Sequence, residues 1–171
     1  MTNGPQPKEQ NRRRGILTVS GFAHFVHDGF TDTIYVLLPL WASGFGLSHA
    51  QVGLLKACMS GGLAGLQVPA GYLAERYGER IILILGTALT GLAFMSMALA
   101  NGIIGLGVLL FIAGVGASTQ HPLASALVSK GFENNRRRAA LGTYNFCGDL
   151  GKVVMPAVVA GIAALYGWQQ G

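Results

Sequence analysis

Charged residues are scarce in this 171-residue sequence, and their scarcity decides the class of protein. Asp, Glu, Lys and Arg together make up 11% of the chain, whereas hydrophobic residues make up 51%. Soluble domains carry roughly 25% charged residues, so the composition excludes an ordinary soluble domain. We therefore predict an integral membrane protein.

Cysteine is almost absent as well. Cys58 and Cys147 lie within apolar stretches, where they are expected to pack as small residues rather than to form a disulfide framework. No nucleophile stands in a recognisable catalytic motif, and the apolar stretches leave no room for a soluble substrate domain. The sequence therefore predicts neither an enzyme nor a bound cofactor.

Long apolar stretches fill most of the chain. A helix of about 20 apolar residues is long enough to cross the hydrocarbon core of a bilayer. The five stretches of this kind cover residues 16–41, 52–73, 81–100, 103–128 and 139–166. We predict an all-α membrane protein with an N-terminal tail over residues 1–15 and a transmembrane domain over residues 16–171.

Lys and Arg are missing from every second loop between these spans. Ten of the twelve basic residues lie in the tail, between the second and third spans, or between the fourth and fifth spans. The positive-inside rule then predicts a multi-pass protein of the cell (inner) membrane with a cytoplasmic N-terminus. The net charge of +5 is thereby assigned to topology, and we do not expect nucleic acid as a partner.

The first span contains ionisable residues that lipid does not tolerate. Asp28 and Asp32 each cost about 2.5 to 3.5 kcal/mol near a helix centre, which nearly cancels the gain from the apolar residues around them. At about 100° per residue, the polar side chains from His24 to Tyr35 share one arc of roughly 140°. This face is expected to meet protein or water rather than lipid.

Other spans carry polar residues that could meet this face. Ionisable groups inside membranes mark ion and substrate pathways by default. The predicted proton and substrate pathway comprises His24, His27, Asp28, Asp32, Tyr35, Gln120, His121, Asn145, Asp149 and Lys152.

These residues allow three other interpretations. Polar groups could simply hold the helices together, at roughly 0.6 to 2 kcal/mol per hydrogen bond. Asp149 and Lys152, three residues apart on one helix, could equally neutralise each other or contact a ligand. His24, His27 and Asp28 have a spacing that could converge on a metal ion, but no Cys or Glu cluster completes it, so no metal site is predicted.

The loop between the second and third spans, GYLAERYGERIIL, resembles a family signature. In the major facilitator superfamily this loop reads Gly-x-Leu-Ala-Asp-Arg-x-Gly-Arg-Lys, and five positions match in order and spacing. Glu75 stands in place of the family's Asp, and Glu79 replaces a basic residue. The cytoplasmic gate loop implied by the resemblance comprises Gly71, Glu75, Arg76, Gly78 and Arg80.

Two further segments, HFVHDGFTDTIYVLLPL and GASTQHPLASAL, resemble the fosmidomycin-resistance type of efflux permease within this superfamily. The resemblance covers the chain from Ile16 onward and implies five helices of a six-helix N-terminal bundle, out of twelve helices in the family. The final segment, ALYGWQQG, resembles the approach to the sixth helix.

This resemblance implies a secondary transporter, with proton-coupled export of small organic molecules or drugs. Asp28 and Asp32 would load and release protons, His24 and His121 would relay protons or bind substrate, and Lys152 would contact an anionic substrate. Its expected partners are the lipid bilayer, the substrate, protons, and either the missing C-terminal helices or a partner chain. The alternative is a transport-inactive membrane fragment or structural subunit that packs against a partner.

Overall fold

A computed structural model describes residues 7–167, without the side chains of residues 7, 134 and 135. This part of the chain contains helices and no strand, which confirms the all-α prediction for the described residues. The helices are α1 (Pro7–Asp32), α2 (Ile34–Phe45), α3 (His49–Tyr77), α4 (Glu79–Met97), α5 (Ile103–Ala117), α6 (Gln120–Gly131) and α7 (Asn134–Tyr166).

The seven helices coincide with the five predicted spans, because α1 and α2 follow one another in the first predicted span and α5 and α6 in the fourth. Among the described residues, three helical stretches are long and apolar enough to cross a membrane by themselves: Glu79–Met97, Ile103–Gly131 and Arg136–Tyr166. The first two predicted spans are not among these stretches. Residues 7–15 of the predicted tail form the first turns of α1, whereas residues 1–6 and 168–171 lie outside the described part.

The first and fourth spans are interrupted at buried hydroxyl residues. Thr33 separates α1 from α2, and its hydroxyl donates to the Phe30 carbonyl at 2.6 Å. Ser118 and Thr119 separate α5 from α6. Pro122 explains the second break, because a proline removes the hydrogen bond to the carbonyl four residues earlier and its ring displaces that carbonyl.

Glycine allows the helices to approach closely. A methyl group at Gly151 of α7 would collide with the Phe25 carbonyl oxygen of α1, and one at Gly114 of α5 would collide with the Met59 carbonyl oxygen of α3. Small residues permit such backbone contact between membrane helices, where no hydrophobic force drives association. These contacts fix α1 against α7 and α3 against α5.

Two apolar clusters pack at opposite ends of the bundle. The first cluster includes Ile34 and Trp41 of α2, Leu55 of α3 and Leu110 of α5. The second cluster joins α6 and α7 through buried side chains such as Val128, with residues of α1 and α4 against it. The polar residues of the first span lie between these two clusters along the chain.

Candidate functional site

Asp28 is the centre of a polar cluster formed by three helices. Its side chain is only about 2% exposed, and its Oδ2 atom lies 3.1 Å from His24 Nε2 and 3.2 Å from Lys152 Nζ. Its Oδ1 atom lies 3.8 Å from His121 Nε2. We call His24, Asp28, His121 and Lys152 the Asp28 cluster. It brings basic groups from α1, α6 and α7 onto one carboxylate.

His24 is held in one orientation by α7. Its Nδ1 atom lies 2.9 Å from the Tyr144 carbonyl oxygen, and because a carbonyl only accepts, Nδ1 carries a hydrogen and donates it. The imidazole stacks on the Tyr144 ring with 4.0 Å between the centroids. Gly148 leaves space for this ring, because a Cβ there would lie 2.6 Å from His24 Cε1. Nε2 is therefore directed at Asp28.

Lys152 is shared between two carboxylates. Its Nζ lies 3.2 Å from Asp28 Oδ2 and 3.1 Å from Asp149 Oδ1, and its side chain is 40% exposed. The sequence left open whether Lys152 neutralises Asp149 or serves a ligand site, and the structure has both contacts. If Asp28 lost its charge, Asp149 would still hold the ammonium group. Lys152 can therefore change partners without becoming a lone charge.

His27 and Gln120 extend the buried polar region. Both side chains are almost completely buried, and the His27 ring lies 6.2 Å from the His121 ring between centroids. Neither ring nitrogen of His27 has a hydrogen-bond partner among the described residues. Buried polar groups without partners are rare in structural positions, because each loses its hydration without compensation.

The remaining predicted pathway residues are placed differently. Asp149 joins the cluster through Lys152, whereas Asn145 is exposed on α7. Asp32 is half-buried, and Tyr35 is 60% exposed with Lys56 Nζ 4.8 Å from its ring centroid. The contacts of the described residues thus connect Tyr35 to α3 rather than to the Asp28 cluster.

The predicted gate loop lies between α3 and α4. Gly78 has φ of 95°, a left-handed conformation that favours glycine and allows the tight reversal. Glu75, Arg76 and Arg80 are exposed and make no ion pair among the described residues. Gly71 lies within α3, in its last two turns.

The ion pairs outside the Asp28 cluster use residues that the sequence did not select. Glu79, noted only as a departure from the signature, lies 2.5 Å from Lys130 Nζ and joins α4 to α6. Arg13 of α1 contacts Glu9 at 2.6 Å and Glu133 at 3.4 Å. These pairs could have been inferred from the sequence, because opposite charges occur in loops that are predicted to lie on the same side of the membrane.

Tyr144 contacts the Asp28 cluster but was not among the predicted pathway residues. It lies on one face of α7 with Gly148 and Lys152, at intervals of four residues. This spacing places an aromatic ring, a glycine without a side chain and a charged group one above the other on the same face of the helix. The pattern could have indicated a face that receives a polar side chain from another helix.

Three side chains of the cluster could hold a metal ion. One ligand atom each from His24, Asp28 and His121 lies within 4.8 Å of the others. This set contains His121 from α6 in place of His27, which the sequence had grouped with His24 and Asp28. The same residues can also serve as a proton site, because each of them can change either its charge or its partner.

Comparison with known proteins agrees with this architecture. The family model described as Major Facilitator Superfamily matches residues 20–170. The chain is 28% identical over 158 residues to the probable sulfoacetate transporter of Cupriavidus necator, covering 92% of this chain and 37% of that protein. It is 29% identical over 139 residues to the 4-hydroxybenzoate transporter of Pseudomonas aeruginosa, covering 81% and 31% of the two proteins.

A third relative agrees with the finer resemblance in the sequence. The chain is 27% identical over 153 residues to the fosmidomycin resistance protein of Escherichia coli, covering 90% of this chain and 37% of that protein. The chain thus spans about a third of the length of these relatives. Together with the all-α membrane architecture, the match over residues 20–170 shows that this chain belongs to the Major Facilitator Superfamily.

Proposed function

We propose that this chain binds protons and substrate in a secondary transporter that exports small organic molecules by proton coupling. The observation that carries the proposal is the position of Asp28, a buried carboxylate with basic partners on three helices. A group that binds a proton inside a membrane must remain tolerable in both charge states. Partners that can rearrange provide this tolerance.

Proton uptake and substrate binding would be linked through Lys152. A proton that binds an Asp28 oxygen neutralises the carboxylate and removes the attraction at the 3.2 Å contact to Lys152 Nζ. Lys152 keeps its contact with Asp149 at 3.1 Å, and its ammonium group becomes available to an anion. Loading Asp28 with a proton would therefore favour binding of an anionic substrate beside it.

The relatives support small organic anions as substrates. Two of them are named as transporters of sulfoacetate and 4-hydroxybenzoate, which carry a sulfonate or a carboxylate. The name of the fosmidomycin resistance protein supports export. We place the chain in the cell (inner) membrane with its N-terminus in the cytoplasm, in keeping with its distribution of Lys and Arg.

The alternative is a structural membrane subunit that does not transport. Its support is the large exposed apolar surface, which includes Phe22 of α1, Met95 of α4 and Val153 of α7. Such surface suits contact with lipid or with further helices. A structural subunit would need no linkage between protons and an organic anion, and this difference separates the two functions.

Binding calorimetry tests the linkage. The chain in lipid nanodiscs is titrated with 4-hydroxybenzoate and sulfoacetate in two buffers with different ionisation enthalpies, which counts the protons taken up. We expect an anion to bind with proton uptake, the uptake to disappear in Asp28→Asn, and affinity to fall about tenfold in Lys152→Met through loss of a charged contact. His49→Gln is the control, because His49 is exposed at the start of α3.

Two results would contradict the proposal. One is binding without proton uptake, and the other is no binding of either anion at millimolar concentration. The first result would refute the proton coupling, and the second would favour the structural subunit. Circular dichroism of each variant checks that the helices are intact.

A further inference from the structure

We propose that His24, Asp28 and His121 form a binding site for a divalent transition-metal ion such as Zn²⁺. This inference goes beyond the proposed function and does not depend on transport. It starts from the convergence of two imidazoles and one carboxylate, from α1 and α6, within 4.8 Å. Two of the three side chains are buried, so they are already shielded from water.

The distances are close to those of a zinc site. Ligand atoms 2.0 to 2.2 Å from a tetrahedral zinc ion lie about 3.3 to 3.6 Å from one another. His24 Nε2 lies 3.1 Å from Asp28 Oδ2, and His121 Nε2 lies 3.8 Å from the other carboxylate oxygen, Oδ1. With one ligand atom from each side chain, the three atoms lie within 4.8 Å of one another. His121 must move by about 1 Å to close the set, and its side chain, 48% exposed, has room to do so.

His24 has the second contact that metal-binding histidines need. Such residues almost always donate their other ring N–H to a carbonyl or carboxylate, which fixes the tautomer and orients the ring. The Nδ1 atom of His24 donates to the Tyr144 carbonyl at 2.9 Å. This leaves Nε2, the atom directed at Asp28, to supply its lone pair to a metal.

The ligand types select the class of metal. Imidazole and carboxylate together suit Zn²⁺ and neighbouring transition metals, whereas Mg²⁺ and Ca²⁺ prefer sets of oxygen ligands. Three protein ligands leave one position of a tetrahedral ion open. Water or an anion could occupy that position.

Lys152 is a competitor for this site. Its ammonium group lies 3.2 Å from Asp28 Oδ2 and would repel a divalent ion there. Asp149, 3.1 Å away, can accept the ammonium group when a metal displaces it. Metal and Lys152 would therefore exclude one another at Asp28, and removal of the Lys152 charge should strengthen metal binding.

The experiment measures metal binding by the tag-free, metal-stripped chain in detergent, without substrate or a proton gradient. Equilibrium dialysis gives the Zn²⁺ stoichiometry and affinity, and the visible absorption of Co²⁺ reports its coordination. We expect one Zn²⁺ per chain, with affinity falling on the order of 100-fold in His121→Gln. His49→Gln, which changes the exposed histidine outside the cluster, should bind as the unmodified chain does.

The same measurement is made on a second variant, Lys152→Met. We expect its Zn²⁺ affinity to rise about tenfold, because the competing positive charge is removed. No zinc binding, or equal binding by His121→Gln and the unmodified chain, would overturn the proposal, as would weaker binding by Lys152→Met. Circular dichroism shows whether each variant keeps its helices. A failed anion titration leaves this result unaffected, because neither anions nor proton uptake enter the measurement.

Discussion

At the scale of single residues, Asp28 is tolerable in the membrane because its charge is shared. His24 lies one turn before it on α1, whereas Lys152 and His121 reach it from other helices. Taking one partner away from a buried ion pair leaves a charge without compensation, which is costlier than removing both members. The cluster should therefore behave as a unit in mutagenesis.

Lys152→Met should destabilise the chain by about 2 kcal/mol, less than for a fully buried pair because His24 remains beside Asp28. Combining it with Asp28→Asn should recover most of that loss, because the amide needs no countercharge. Thermal unfolding in detergent at neutral pH measures both. Asp149→Asn is the matched control and should change stability little, because the Asp149 side chain is 70% exposed. An additive double variant would refute the coupling between Asp28 and Lys152.

At the scale of helices, α7 both supports and shapes the cluster. Gly148 accommodates the His24 ring, and Gly151 lies against the α1 backbone one turn later. The same helix contributes the Tyr144 carbonyl and the Lys152 ammonium group. One face of α7 thus positions two of the four members of the Asp28 cluster.

Gly151→Ala should weaken packing of α1 against α7 by about 1 to 3 kcal/mol, because the added methyl group meets backbone rather than a movable side chain. Gly161→Ala makes the same change on the same helix where no atom lies within 4 Å of the added carbon. This control should be neutral or slightly stabilising, since alanine favours helices. Thermal unfolding of the two variants compares them. Equal melting temperatures would show that α1 and α7 are not in close contact.

At the scale of the whole molecule, the sequence predicts the position of the helices and their polar faces better than it predicts where the helices break and how they pack. The apolar lengths predicted the helices, and the helical period placed His24, His27 and Asp28 on one face, all three of which are buried. The breaks at Thr33 and Ser118 were not predicted, because they fall at short polar segments inside stretches that are long enough for one continuous helix. Sequence spacing also could not distinguish His121 from His27 as the neighbour of Asp28, since that depends on how α6 packs on α1.

The distribution of Lys and Arg leads to a test of orientation. In a chain with Cys58 and Cys147 replaced by serine, Ala50→Cys lies at the exposed start of α3 and Glu133→Cys immediately before α7. Because basic residues stay in the cytoplasm, an impermeant thiol reagent should label Ala50→Cys in intact cells and should not label Glu133→Cys. Disrupted cells provide the control, where both should be labelled. The reverse pattern would overturn the orientation.

The 171-residue chain by itself should insert into membranes and bind ligand without moving it across. Alternating access needs one bundle of helices to rock against another around the site, and five spans provide only one side of it. Liposomes containing the purified chain and a trapped pH dye should show no flux of protons when 4-hydroxybenzoate is added. Robust coupled flux would argue for a transporter assembled from identical copies.

The two apolar clusters at either end of the bundle also have an electrical consequence. A membrane voltage falls across dry regions, and Asp28 and Lys152 lie near the middle of their spans, between such regions. Moving a unit charge across a whole bilayer at 100 mV involves about 2.3 kcal/mol, so a proton that reaches Asp28 crosses about half of that, roughly 1.2 kcal/mol. This corresponds to about a sevenfold change in proton occupancy. At equal pH on both sides, the voltage alone would load Asp28 more readily from the positive face.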